Sequence, residues 1–193
     1  TRRSSDLMEV SSHSLTLERV AGIDFDVAVF TNLSQDHLDL HGTMEEYARC
    51  KSLLFRQCGR AVINVDDPWA ERMAAGASCP ILRTSVKAAG DLVASGMRLA
   101  SDHVSFDVQM GEERYPVTLG IPGEFSVYNA LTTLGVLVSL GFGLKEAAEA
   151  LSECRGVMGR AELVPTDRDY TVMIDYAHTP DALENILKTV RGY

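Results

Sequence analysis

The sequence predicts an α/β fold: a mainly parallel sheet flanked by helices, with a small antiparallel sheet and the start of a second α/β domain. Three observations carry this expectation. Apolar runs at 7–10, 27–31 (VAVFT) and 61–65 (AVINV) are nearly continuous, as in strands covered on both faces of a parallel sheet. An amphipathic helical pattern occupies 43–58, between two of them. Residues 92–120 alternate instead in short runs.

Each element has its own signal. The run at 27–31 stops at Asn32 and the run at 61–65 stops at Asp66-Asp67-Pro68. Neither end reads as a hairpin, and in open α/β sheets ligands gather at carboxyl ends of strands. The helix at 43–58 opens with Thr43 and has Glu46 three residues later, the pattern of a capping box. LVASGMRLA, HVSFDVQM and RYPVTLG, separated by Ser101-Asp102 and Gly111-Glu112, form an antiparallel meander. Helices follow at about 126–140 and 144–154. Pro165-Thr166-Asp167 reads as a linker. Residues 1–165 are then one domain, and 166–193 the first strand (170–175) and helix of the next. That helix is opened by Thr179, with Pro180 in its first turn.

Composition narrows the functional classes. Of 193 residues, 46% are hydrophobic and 23% charged, ordinary values for a globular chain. The net charge of -9 argues against non-specific nucleic-acid binding, though not against an anionic nucleotide held by local donors or a metal. No apolar run is long enough to cross a membrane, and no signal peptide opens the chain at Thr1. Cys50, Cys58, Cys79 and Cys154 lack C-x-x-C spacing and read as reduced, buried thiols of a cytoplasmic protein.

Five clusters carry candidate chemistry. Lys51 shares the apolar stripe of its helix with Met44, Tyr47, Leu54, Phe55 and Cys58. Its stem either lies along that stripe with the amine at the rim, or the amine is desolvated enough to take up carbon dioxide as a carbamate. His37, Asp39 and His41 follow the strand at 27–31, a placement that favours a site; a zinc hydrolase is the competing reading. Glu9, Ser11 and His13 end the first strand, without the G-x-S-x-G of a serine hydrolase. Glu9 suits a metal carboxylate and Ser11 a donor to an anionic substrate. Asn129 follows Gly123 and Phe125 and would present an amide to a purine edge; helix capping explains the Gly and Ser126 equally well. Asp175, in Asp175-Tyr176-Ala177-His178, suits a ribose hydroxyl, with capping by Thr179 as the plainer explanation of the segment.

MEVSSH (8–13), TNLSQDHLDLHG (31–42), EEYARCKSLLF (45–55), GEFSVYNAL (123–131), GRAE (159–162) and DYAHTPDAL (175–183), in this order, resemble the motifs of the Mur ligases. The resemblance is closest to the branch that adds the third amino acid to UDP-MurNAc-dipeptide. It implies an ATP- and Mg²⁺-dependent ligase of peptidoglycan synthesis, cytoplasmic and monomeric. The implied reaction phosphorylates a D-Glu carboxylate; an amine of meso-diaminopimelate or L-lysine then attacks the acyl phosphate. By the same resemblance Glu9, His37 and carbamylated Lys51 surround the Mg²⁺, and Ser11 and Arg19 contact UDP-MurNAc-dipeptide. Asn129 reads adenine, Arg160 and His178 approach the phosphates, and Asp175 meets the ribose. Ser126 and Leu17 depart from the family pattern, which often has Asn and a polar residue there. G-x-x-x-x-G-K-[ST] does not occur in these residues. The resemblance therefore implies that the phosphate loop, a UDP-binding domain and most of the last domain lie outside them, and that these residues alone are inactive. MurT-like and folylpolyglutamate-synthetase-like ligases, the hydrolase and a non-catalytic binding remnant stand as alternatives.

Overall fold

The computed structural model describes residues 6–35, 38–87 and 90–192. Six strands, β1 (Phe25–Phe30), β2 (Cys58–Asn64), β3 (Ile81–Ser85), β4 (Leu92–Leu99), β5 (Val104–Met110) and β6 (Glu113–Leu119), form one sheet in that spatial order. Strands β1 to β4 pair in parallel, and β4 to β6 antiparallel. The meander expected at 92–120 is present. Rather than standing apart, it extends the parallel sheet through the pairing of Thr84 with Leu92. A separate antiparallel pair joins β7 (Glu162–Val164) to β8 (Val172–Ile174), so the ladder brackets Pro165.

The helices are α1 (Ser12–Thr16), α2 (Leu38–His41), α3 (Met44–Ser52), α4 (Ala70–Ala74), α5 (Glu124–Ser139), α6 (Leu144–Ser152) and α7 (Pro180–Arg191). α3 and α4 cover one face of the sheet, and α5 and α6 the other. The period-two alternation of β2 shows why. Ala61 and Ile63 face a core with Phe30, Tyr47, Phe55 and Met73, beneath α3 and α4. Val62 points the other way, to α5, where Gly135 lets helix and sheet approach: an added Cβ there would stand 2.8 Å from Val62 Cγ1. On that side Leu92, Phe106, Val108 and Val117 pack against Val127, Leu131, Leu134 and Leu144 of α5 and α6. Each large apolar side chain so buried contributes about 1.5–3 kcal/mol.

Several local expectations are corrected. Residues 7–10 belong to no strand; Leu7 is 97% exposed and finds no second surface to pack on. The helix expected through Cys58 ends at Ser52 and tightens into a 3-10 turn, Leu53–Arg56. Ser52 Oγ donates to the Arg49 carbonyl at 2.8 Å, a side-chain bond that competes with the helical ladder. Cys58 already belongs to β2. The capping box is half formed: Thr43 Oγ1 accepts from the Glu46 amide, but the Glu46 carboxylate turns to Arg49. Strand β3, with Arg83 breaking its apolar run, and the short α4 and β7 were not foreseen from the sequence.

Candidate active site

The parallel strands β1, β2 and β3 end side by side, and polar side chains tie their carboxyl ends together. Asn64 Nδ2 donates to the Thr31 carbonyl at 2.8 Å. Asp67 accepts from the Leu33 amide at 3.0 Å. Asp66 accepts from Ser85 Oγ and from the Val86 amide, each at 2.7 Å. Tyr128 of α5 stands beside this knot. Burial first, then the Asp66 and Glu124 charges, push its phenol up to about 12.

The first three sequence clusters meet at one point. Ser12 Oγ lies 2.8 Å from His41 Nε2. The His41 ring stacks on Tyr47 at 5.1 Å between centroids, with the planes 14° apart. The Lys51 Nζ lies over the Tyr47 ring, 5.7 Å from its centroid. Each element has a local cause. Ser11 caps α1, accepting from the Ser14 amide at 3.1 Å and so committing the next residue, Ser12, to the helix. On α3, Tyr47 and Ala48 are buried while Lys51 is half-buried. At the exposed start of α3, the Arg49 guanidinium holds Glu46 down at about 2, through their hydrogen bonds first. The Ser12–His41–Tyr47–Lys51 run thus joins the segments at 8–13, 31–42 and 45–55.

A second group forms near the end of the chain. Arg160 lies over the Tyr176 ring at 4.9 Å, and His178 meets that ring edge-on at 5.0 Å. Asp175 accepts from the Ala161 amide at 2.8 Å and the Ala177 amide at 2.7 Å. Arg160, from the GRAE segment, is therefore a neighbour of Asp175 and His178 in the DYAHTPDAL segment.

Other expected residues stand further apart. Glu9 is exposed in the irregular stretch before α1, and Arg19 is exposed just beyond it. Asn129 is on α5 with its side chain exposed. His37 lies outside the described residues. Among the described residues, no three His, Cys, Asp or Glu gather as metal ligands, and His41, invoked for a hydrolase, is engaged by Ser12 and Tyr47. Sequence reasoning missed the roles of Asn64, Asp66, Asp67 and Tyr128. The signal was present: an Asn and two Asp where an apolar strand ends.

The chain has counterparts among known proteins. The sequence pattern of the Mur ligase middle domain matches residues 5–137. The chain belongs to the Mur ligase family. The UDP-N-acetylmuramoyl-L-alanyl-D-glutamate–2,6-diaminopimelate ligase of Caldanaerobacter subterraneus subsp. tengcongensis is 47% identical over 188 residues, covering 97% of this chain and 39% of that protein. The protein of the same name from Halalkalibacterium halodurans is 45% identical over 190 residues, covering 95% and 39% respectively. A solved structure bearing this ligase's name superposes with a TM-score of 0.80 at 33% identity, over 94% of this chain and 39% of that one. MurF from Thermotoga maritima, solved with ADP, superposes with a TM-score of 0.75 at 20% identity, over 94% and 42%, and shares the fold. The chain thus spans 39% of the length of the curated relatives it matches. Among the described residues no helix is long and apolar enough to cross a membrane.

Proposed function

We propose that this chain is the central catalytic part of an ATP-dependent ligase that joins a diamino acid, 2,6-diaminopimelate, to UDP-MurNAc-L-Ala-D-Glu in the cytoplasm. Residues 1–165 would be its central domain and 166–193 the opening of the next. The observation that supports the reading most is the Ser12–His41–Tyr47–Lys51 run, which gathers three family motifs at one point. The relatives' names support the choice of diaminopimelate.

In this reading a carboxylate oxygen of the substrate attacks the γ-phosphorus of ATP and ADP departs; the amine then displaces phosphate from the acyl phosphate. Such chemistry depends on positioning and on charge stabilisation. Ser11 and Arg19, both exposed near α1, would hold the anionic substrate. The Arg160 guanidinium and His178, 4.9 and 5.0 Å from the Tyr176 ring, would meet phosphate oxygens, and Asp175 the ribose. Asn129, exposed on α5, would read adenine. Glu9 and Lys51 as a carbamate offer oxygen donors of the kind Mg²⁺ prefers, and His37 would complete the set. Lys51 is half-buried, with its Nζ over the Tyr47 ring at 5.7 Å from the centroid, beside the segments that carry the other two motifs. When bound, the ion would neutralise charge on the phosphate oxygens.

The test is a chimera in which these 193 residues replace the matching segment of the Caldanaerobacter relative. Ligation of UDP-MurNAc-dipeptide with diaminopimelate is expected, together with its loss in Lys51→Ala and partial return with a short carboxylate and bicarbonate. A chimera that melts as cooperatively as its parent yet does not ligate, or a fully active Lys51→Ala, overturns the reading.

A further inference from the structure

Two cysteines that the sequence left unrelated are neighbours. Cys58 opens β2 and Cys79 lies just before β3, twenty-one positions on, and their sulfurs are 3.5 Å apart. The other two differ from them: Cys50 is buried and Cys154 exposed. The contact is built by the sheet. Ala61 pairs in parallel with Ile81, and the Ala61 amide donates to the Pro80 carbonyl at 3.0 Å, which fixes the amino ends of the two strands against each other. Both thiols also pack against the same apolar cluster, beside Phe55, Ala61 and Met73.

We propose that Cys58 and Cys79 are a redox modification site that closes to an intramolecular disulfide when it meets an organic disulfide. Little motion is needed: the sulfurs must approach from 3.5 Å to roughly 2.05 Å, within reach of a side-chain rotation. Both residues are half-buried, so a small oxidant has access to them. Two S–H bonds break and one S–S bond forms. The two electrons and two protons pass to the oxidant, whose own S–S bond breaks to give two thiols, by exchange through a mixed disulfide. Burial, and secondly the hydrogen bond with Cys79, push the Cys58 thiol up to about 12, so Cys58 rests as a protonated thiol at neutral pH and exchange through it is slow.

The closed loop contains β2 and α4 and pins the amino ends of β2 and β3. The candidate active site is at the carboxyl ends, where Asn64, Asp66 and Ser85 lie. Oxidation therefore stiffens the crossover from the opposite end of the strands and leaves the Ser12–His41–Tyr47–Lys51 run in place.

The test uses the 193-residue chain with its native cysteines, held at neutral pH with oxidised glutathione, then alkylated, digested and mapped by mass spectrometry. A peptide linking Cys58 to Cys79 is expected, reversed by dithiothreitol. The oxidised chain should melt about 5–10 °C higher, as expected for a bond closing a loop of this size in a chain of this length. Cys58→Ala and Cys79→Ala should each lose both the link and the shift. Recovery of Cys58 and Cys79 as alkylated thiols, with glutathione only on Cys154, overturns the proposal. So does a link accompanied by a lower melting temperature, because the bond would then form from unfolded chains.

Discussion

The Ser12 hydroxyl and the His41 imidazole, twenty-nine residues apart in sequence, meet at 2.8 Å and fasten α1 to the short helix that precedes α3. Ser12 is 2% exposed, so removing its partner leaves a buried hydroxyl without this bond. Ser12→Ala and His41→Ala should each lower stability by about 1–2 kcal/mol, and the double variant by less than their sum. Urea unfolding of the four proteins measures this; fully additive losses would mean that the pair does not couple.

The strand-end knot makes a second expectation. Asp66 takes two bonds of 2.7 Å, from Ser85 Oγ and the Val86 amide, and Ser85 is fully buried. Asp66→Ala leaves both donors without it and should destabilise by about 2–3 kcal/mol. Asp66→Asn keeps the shape but removes the charge. The Tyr128 phenol should then titrate below its present value of about 12, yet stay above the ordinary 10.0, because burial is the larger cause. Ultraviolet titration of the variant checks this; an unchanged midpoint would separate Tyr128 from Asp66.

At Gly135 the spacing between helix and sheet is itself the prediction. An added Cβ would stand 2.8 Å from Val62 Cγ1 and 3.2 Å from Leu82 Cδ2. The higher helix propensity of alanine, about 1 kcal/mol, opposes this crowding. Gly135→Ala should be destabilising by no more than about 1 kcal/mol, and Gly135→Val by about 2–3 kcal/mol as α5 is forced outward. Thermal melts that leave the valine variant as stable as the parent would show that the helix moves freely over the sheet.

Much of this architecture was legible in the sequence, for physical reasons. The strands β1 and β2 were visible because burial on both faces demands unbroken apolar runs, and the meander because its strands alternate. β3 was hidden: its five residues include Arg83, which is exposed, and a short strand needs its neighbours more than its own pattern. The opposite error occurred at 7–10, where apolar character without a packing surface yields no strand. For the candidate site, the clusters were legible and their contacts were not. Nothing in the spacing of Ser12, His41 and Tyr47 says that an imidazole will sit between a hydroxyl and a phenol ring. The pairing of Cys58 with Cys79 depends likewise on strand register, which periodicity alone does not supply.

The first turn of α3 offers a pH test. Arg49 Nε and Nη2 donate to the two Glu46 carboxylate oxygens at 2.8 and 2.7 Å. Those bonds, more than any other cause, lower Glu46 from the ordinary 4.5 to about 2. The sign follows directly. The folded chain binds a proton at Glu46 less readily than the unfolded chain, so acid favours unfolding. The contribution is complete above about 4.5 and is lost as pH falls toward and through about 2. The group is at the surface, so its effect on stability is small and screened by salt; its own titration is the sharper readout. Carboxyl carbon resonances of the wild-type chain should place the Glu46 midpoint near 2. Arg49→Ala should return it toward 4.5, and Arg49→Lys should fall between, because an ammonium supplies charge without the fork of two donors. A Glu46 midpoint unchanged by Arg49→Ala would assign the lowering to the helix amino terminus, where the Glu46 amide already bonds to Thr43 Oγ1 at 3.2 Å.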